Sequence, residues 1–169
     1  MKSIKSHRFL LVCVCALCGI LLVGGFLRNS TVIAEPEIPL AENFKILNAG
    51  DTVTVKIYAN KLTDVYGYQF KLHFDESALE YSNVSSSIPE IGLIFPKQFP
   101  GYLLVGATKV GQVQGFSSDS ESVPVCEVIL RANKNGVSPQ ILLQEVNTID
   151  SLLNYNVGET NWGFELIYA

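Results

Sequence analysis

Alternation of apolar and polar residues is the feature that most constrains how this chain can fold. In residues 65–74 every second side chain is large and apolar, whereas the positions between them are small or polar. The apolar phase consists of Tyr66, Tyr68, Phe70, Leu72 and Phe74. Because successive side chains of a β-strand point to opposite faces, the pattern predicts a strand with one buried aromatic face. Residues 52–59 alternate in the same way and predict a second half-buried strand.

Six further segments have the length and composition of strands, namely 78–81, 91–100, 101–109, 123–132, 140–147 and 162–168. Pro96 and Pro100 place segment 91–100 at a sheet edge, because proline cannot donate to a central ladder. The stretches 60–64, 82–90 and 111–121 are predicted as loops. No segment after residue 34 keeps a 3.6-residue apolar period over three turns. About nine short strands separated by turn signals predict an all-β sandwich.

The first 34 residues have the composition of a secretory signal peptide. Lys2, Lys5 and Arg8 precede an apolar run over residues 9–27, and Val32-Ile33-Ala34 resembles a small-residue cleavage site. The alternative is an uncleaved membrane anchor, since a span needs roughly 20 apolar residues. Cleavage after Ala34 leaves a linker over residues 35–43 and a folded domain over residues 44–169. We therefore expect an extracellular protein, secreted or held at the cell surface, whose mature form is not in the membrane.

Net charge and cysteine content limit the partners and the cross-links expected for the chain. Residues 35–169 hold all 16 acidic side chains and eight of the 12 basic ones, a formal net charge of −8. An acidic domain repels phosphate backbones, so nucleic acid is not an expected partner. Three of the four cysteines lie before residue 34, and the remaining one, Cys126, is in the apolar phase of its segment. An intramolecular disulfide is therefore excluded for a mature chain that starts after Ala34.

Several segments together resemble the cohesin domain family. Residues 50–55 read Gly-Asp-Thr-Val-Thr-Val, as at the opening strand of cohesin modules. Residues 66–75 resemble the aromatic strand of the family, which ends in Tyr or Phe followed by Asp, and residues 76–81 resemble the Leu-Glu step that follows it. Residues 125–134 and 140–146 resemble two later strands. The aromatic-strand block is the most specific of these segments.

The resemblance implies a jelly-roll sandwich of about nine strands, similar in fold to carbohydrate-binding modules of families 2 and 3. Cohesins bind dockerin modules on one sheet face and so assemble polysaccharide-degrading complexes. The resemblance therefore implies a dockerin-like protein partner, which would contact outward residues of the aromatic strand and its neighbour. The predicted binding residues are Gln69, Lys71, His73, Leu103 and Val105. The Asn and Asp of dockerin-binding cohesins are replaced here by Gly67 and Gln69.

Two other classes of function are alternatives to protein binding. A carbohydrate-binding module would need a row of exposed aromatic rings, for which Tyr58, Phe99 and Tyr155 are the candidates. Catalysis lacks support, because His73 is the only histidine after residue 34 and no nucleophile–base motif occurs. We predict no catalytic residue, no metal site and no cofactor; should calcium bind, Asp119 and Glu121 are its candidate ligands.

Overall fold

The computed structural model describes residues 45–156 and 160–169. These residues form eleven strands. The strands are β1 (Thr52–Ala59), β2 (Leu62–Val65), β3 (Gly67–His73), β4 (Leu79–Ser86), β5 (Leu93–Phe99), β6 (Tyr102–Thr108), β7 (Phe116–Ser118), β8 (Val123–Ala132), β9 (Leu142–Ile149), β10 (Tyr155–Asn156) and β11 (Trp162–Tyr168). The predicted signal peptide and linker lie outside the described residues.

Two antiparallel sheets organise the domain. The four-stranded sheet has the order β11-β1-β8-β4, and the five-stranded sheet has the order β10-β9-β3-β6-β5. Strands β2 and β7 pair as a separate short ribbon. The all-β sandwich predicted from alternation is confirmed. The three strands beyond the predicted set, β2, β7 and β10, are only two to four residues long. They lie in stretches not predicted as strands, except that β2 ends at Val65, the first residue of the predicted segment 65–74.

The predicted segments agree with the structure where one phase is clearly apolar. Strands β1, β8 and β11 begin and end at the predicted residues. Strand β4 continues to Ser86, although residues 82–90 are predicted as a loop. Its serines are exposed or half-buried at the edge of the four-stranded sheet, and their polar side chains give no apolar alternation. Backbone pairing with β8 holds this part of the strand. The edge position predicted from Pro96 is confirmed, because β5 pairs only with β6.

Inward side chains of both sheets form one hydrophobic core. Phe70 is its largest fully buried side chain, in the aromatic phase predicted for β3. Cys126 is buried and free, as its apolar phase predicts. Along β11, Trp162, Phe164, Leu166 and Tyr168 pack partly buried against this core. No helix within residues 45–156 or 160–169 is long and apolar enough to cross a membrane.

Candidate binding face of the five-stranded sheet

The predicted binding residues of β3 lie on the solvent side of the five-stranded sheet, which we call the outer face. Strand β3 is central in this sheet, between β9 and β6. Gln69 is exposed, and Lys71 and His73 are half-buried, as expected for the phase opposite to Phe70. The outward placement of these three side chains is therefore confirmed, whereas their role in binding stays a prediction.

The outward placement of Leu103 and Val105 is wrong. Both side chains are 0% exposed and belong to the core, and Ala107 is buried with them. The register pairs Val105 with Phe70 and Leu103 with Leu72, and directly paired residues share a face. Leu103, Leu104 and Val105 are all apolar, so alternation alone could not decide which phase of β6 points outward. The outward residues of β6 are Tyr102, Leu104, Gly106 and Thr108.

Strand register arranges the outer face in four rows that cross the sheet. The first row is Tyr155, Ile149, Gly67, Thr108 and Leu93. The second row is Asn147, Gln69, Gly106 and Phe95. The third row is Gln144, Lys71, Leu104 and Lys97, and the fourth is Leu142, His73, Tyr102 and Phe99. Uncharged side chains fill the first two rows, and the two lysines follow in the third.

Lysines and aromatic rings pack closely in the third and fourth rows. Lys71 Nζ lies 2.5 Å from a carboxylate oxygen of Glu145 and 5.0 Å from the Tyr102 ring centroid. The Tyr102 ring stacks on Phe99 at 5.1 Å between centroids. Lys97 Nζ lies 4.9 Å from the Phe99 ring centroid. Such cation–π and stacking contacts hold this half of the face in one arrangement.

His73 is part of the same cluster. Its ring lies 5.4 Å from that of Tyr102, and its Nε2 atom is buried without a hydrogen-bond partner among the described residues. The neighbouring outward side chain on β9 is Leu142. A histidine between Tyr102 and Leu142 contributes packing, and no nucleophile lies next to it in these rows.

A cavity of about 150 Å³ opens in the first two rows, and we call it the Gly106 notch. Gly106 forms part of its floor, Phe95 stands on one side, and Ile149 and Tyr155 stand on the other. Gln69, Asn147 and Thr108 supply polar side-chain groups to it. Sequence reasoning missed Phe95 and Gly106; the available signal was a glycine inside a strand pattern, which marks a bulge or a close approach.

Exposed apolar side chains concentrate around this notch. Leu93, Phe95 and Tyr155 are 45%, 56% and 72% exposed, and all three lie in the first two rows. Beyond Tyr155, the β9–β10 turn exposes Leu152 and Leu153. Exposed apolar groups gathered on one sheet face are typical of an interaction surface.

Two aspartates fix the turn that carries Tyr155. Asp64 accepts hydrogen bonds from Ser151 Oγ at 2.6 Å and from the Gly115 backbone N–H at 2.9 Å. Asp150 accepts from the backbone N–H groups of Leu152 and Asn154. Hydrogen bonds from Ser151 lower the pKa of Asp64, and hydrogen bonds from Asn154 lower that of Asp150. Ionised carboxylates therefore hold the turn, and the sequence analysis assigned neither of them a role.

The solvent side of the four-stranded sheet has a different character. Charged groups pair across its strands: Arg131 with Glu80 at 2.5 Å and Lys56 with Glu127 at 3.8 Å. Tyr58 donates a hydrogen bond to Glu165, and desolvation together with this bond raises the pKa of Tyr58. Tyr58 thus lies on the sheet opposite to Phe99 and Tyr155, so the three aromatic candidates for sugar binding form no common row.

The remaining candidates for chemistry are apart from one another. Burial raises the pKa of the Cys126 thiol to about 12, which leaves it protonated and unreactive at neutral pH. Glu121, a calcium candidate, pairs with Lys61 at 3.8 Å, and Asp119 is exposed nearby in sequence. Within the described ranges no three His, Cys, Asp or Glu side chains are grouped so that they could hold a metal ion.

Comparisons with known proteins agree with this architecture. The cohesin module of a family 33 glycoside hydrolase from Clostridium perfringens is 13% identical, with a TM-score of 0.54 over 75% of this chain and 95% of that one. The sixth cohesin of Acetivibrio cellulolyticus scaffoldin B, solved with a Cel5 dockerin mutant, is 12% identical, with a TM-score of 0.54 over 72% and 96%. A type I cohesin–dockerin complex from Clostridium thermocellum contains a chain 16% identical, with a TM-score of 0.51 over 72% and 86%.

These likenesses define the protein as a jelly-roll β-sandwich module, which confirms the predicted topology. Residues 39–90 also match the cohesin domain family. The fold and the family match together support a cohesin domain, and the resemblance inferred from the sequence is confirmed. A comparison with curated protein sequences found no match.

Proposed function

We propose that this cohesin-like domain docks a dockerin-bearing protein through the outer face of its five-stranded sheet. The observation that carries the proposal is the exposure of Leu93, Phe95 and Tyr155 around the notch. Lys97, exposed on the same face, could meet an acidic group of the partner. An apolar centre with a polar rim is typical of protein interfaces. Two of the solved cohesin structures similar to this chain contain dockerins, which supports this class of partner.

The cellular setting is part of the same proposal. A leader with the features of a signal peptide supports an extracellular module, and the cohesin resemblance supports a role in assembling polysaccharide-degrading or surface complexes. The role is one of binding rather than catalysis. Direct retention on polysaccharide is the competing outcome, and the experiment below includes it.

The test is a binding titration with purified dockerin modules, both those encoded by the source genome and that of the Clostridium thermocellum complex. The informative variant combines Lys71→Glu with Leu104→Asp, because these residues are direct cross-strand neighbours on the outer face. Placing carboxylates in a desolvated contact costs several kcal/mol, so we expect at least a hundredfold weaker binding.

The matched control combines Lys56→Glu with Ile129→Asp, which puts the same two changes on adjacent strands of the four-stranded sheet. Thermal denaturation checks that both double variants are folded. Equal weakening by the two variants would contradict docking through the outer face. Retention of the wild type on insoluble cellulose or chitin, without binding to any dockerin, would favour a carbohydrate-binding module instead.

A further inference from the structure

Gly106 has no explanation in the fold. A Cβ atom added at this position would meet no heavy atom within 4 Å, and the residue lies inside β6, between β3 and β5. Glycine weakens a strand interior because it is flexible when unfolded and has no side chain to pack. Gly67 differs, since its added Cβ would lie 2.8 Å from the Ala107 carbonyl oxygen. Close packing therefore accounts for Gly67 but leaves Gly106 to be explained by the surface it creates.

The missing side chain of Gly106 leaves room for a group from outside. A cavity of about 150 Å³ that opens to solvent has room for a group of about the size of benzene, which closed engineered cavities of this volume hold. Phe95, Ile149 and Tyr155 make its sides apolar, and none of the residues that line it is charged. An uncharged, compact apolar group fits this lining best.

The notch is already shaped for an occupant. Tyr155 follows a turn held by the hydrogen bonds of Asp150 and, through Ser151, of Asp64. Phe95 lies on β5, whose seven residues all pair with β6. A backbone that need not rearrange lowers the entropic cost of binding.

A positive charge lies one row from the notch. Lys97 is exposed and is two positions beyond Phe95 on the same strand, about 7 Å along it. An exposed lysine beside the notch favours an acidic group on whatever enters it. Charge complementarity therefore adds a carboxylate to the description of the occupant.

We infer that the Gly106 notch receives one leucine- to phenylalanine-sized side chain of the docked protein, flanked by an acidic side chain that meets Lys97. The inference rests on the proposed function and adds to it the chemistry of the partner's contact segment. By this inference Gly106, which has no side chain, determines which side chains of a partner fit the notch.

Gly106→Leu tests the inference, because it fills the notch from below and should leave the thermal midpoint of unfolding unchanged or higher. Gly163→Leu is the matched control: Gly163 lies in β11 of the other sheet, and its added Cβ also meets nothing within 4 Å. Lys97→Glu tests the charge, with Lys134→Glu in the β8–β9 turn as its control. The probes are the dockerin modules named above, measured by titration calorimetry.

We expect Gly106→Leu to weaken dockerin binding at least thirtyfold and Lys97→Glu to weaken it about tenfold, while both controls bind like the wild type. If the wild type binds a dockerin and Gly106→Leu binds it equally well, the notch inference is overturned and the docking proposal stands. If no dockerin binds the wild type, both are overturned. Loss of polysaccharide retention in Gly106→Leu, with dockerin binding intact, would also overturn the inference, because the occupant would then be a sugar.

Discussion

At the scale of single residues, Lys109 is a buried cation that relies on one ion-pair partner. Its side chain is 4% exposed, and its Nζ lies 3.1 Å from the carboxylate of Glu90, which is 72% exposed. Glu90 also has a positive φ of 60°, which is uncommon for a residue other than glycine. The ion pair therefore holds residue 90 in an unfavourable backbone conformation while it neutralises a buried cation.

Removing the Glu90 carboxylate should lower the free energy of unfolding more than removing the Lys109 charge does. We expect Glu90→Gln to lower the free energy of unfolding by about 1–2 kcal/mol, less than for a fully buried pair because Glu90 stays hydrated. Lys109→Met should cost less, since it keeps the aliphatic stem and leaves behind only the hydrated carboxylate of Glu90. Urea denaturation measures both. Glu121→Gln, in an exposed pair with Lys61, is the control and should be nearly neutral; a Glu90→Gln variant equally neutral would contradict the argument.

At the scale of elements, the phase of β6 decides which side chains a partner can reach. Val105→Asp would bury a carboxylate opposite Phe70 at a fully buried position, and we expect this variant to be unfolded. Leu104→Asp places the same group on the half-buried outer face between Lys71 and Lys97, so that variant should fold. Circular dichroism and amide NMR spectra distinguish the two outcomes. A folded Val105→Asp variant would show that the assigned phase is wrong.

The stabilisation of the β9–β10 turn by its two aspartates depends on pH. The folded-state pKa values of Asp64 and Asp150 are lowered, so their stabilisation is complete above the ordinary Asp value of 3.8 and is lost as pH falls through the lowered values. Asp64→Asn should therefore be less stable than the wild type at neutral pH, and the difference should shrink in acid. Chemical denaturation at several pH values measures this; a difference independent of pH would count against the carboxylate's role.

The sequence predicts elements better than it predicts how they meet. Strands β1, β8 and β11 are bounded correctly because one phase of each carries the large apolar side chains. The sequence also placed Gln69, Lys71 and His73 on an outward phase. The Gly106 notch could not be predicted, because it depends on the register of five strands that are distant in sequence. Strand β6 shows this limit of sequence-based prediction most clearly. Both of its phases contain apolar residues, so only its pairing with strands distant in sequence determines which phase faces the core.

At the scale of the whole molecule, the two solvent-facing sheet surfaces have separate roles. The four-stranded sheet pairs its charges within itself, through Arg131 with Glu80 and Lys56 with Glu127. The five-stranded sheet also has such a pair, Lys71 with Glu145, and in addition exposes apolar side chains around the notch. Charged side chains that are already paired gain little from a partner. Burying them in an interface would remove their hydration without giving them a new opposite charge. This asymmetry supports docking on one face only.

Whether residues 1–34 are cleaved, as the sequence predicts, can be read from the number of thiols in the protein made by its source organism. Cleavage after Ala34 removes Cys13, Cys15 and Cys18 and leaves Cys126, which is buried and whose pKa is raised to about 12. A thiol reagent should therefore find no reactive group in the native protein, because the reagent needs access to a thiolate. In denaturant we expect one thiol per chain, and mass spectrometry should give an N-terminus at Glu35. Four thiols in denaturant, with the full-length chain retained in the membrane, would show that the leader is an anchor. Rapid labelling of the native protein at Cys126 would instead show that the β8 core opens in solution.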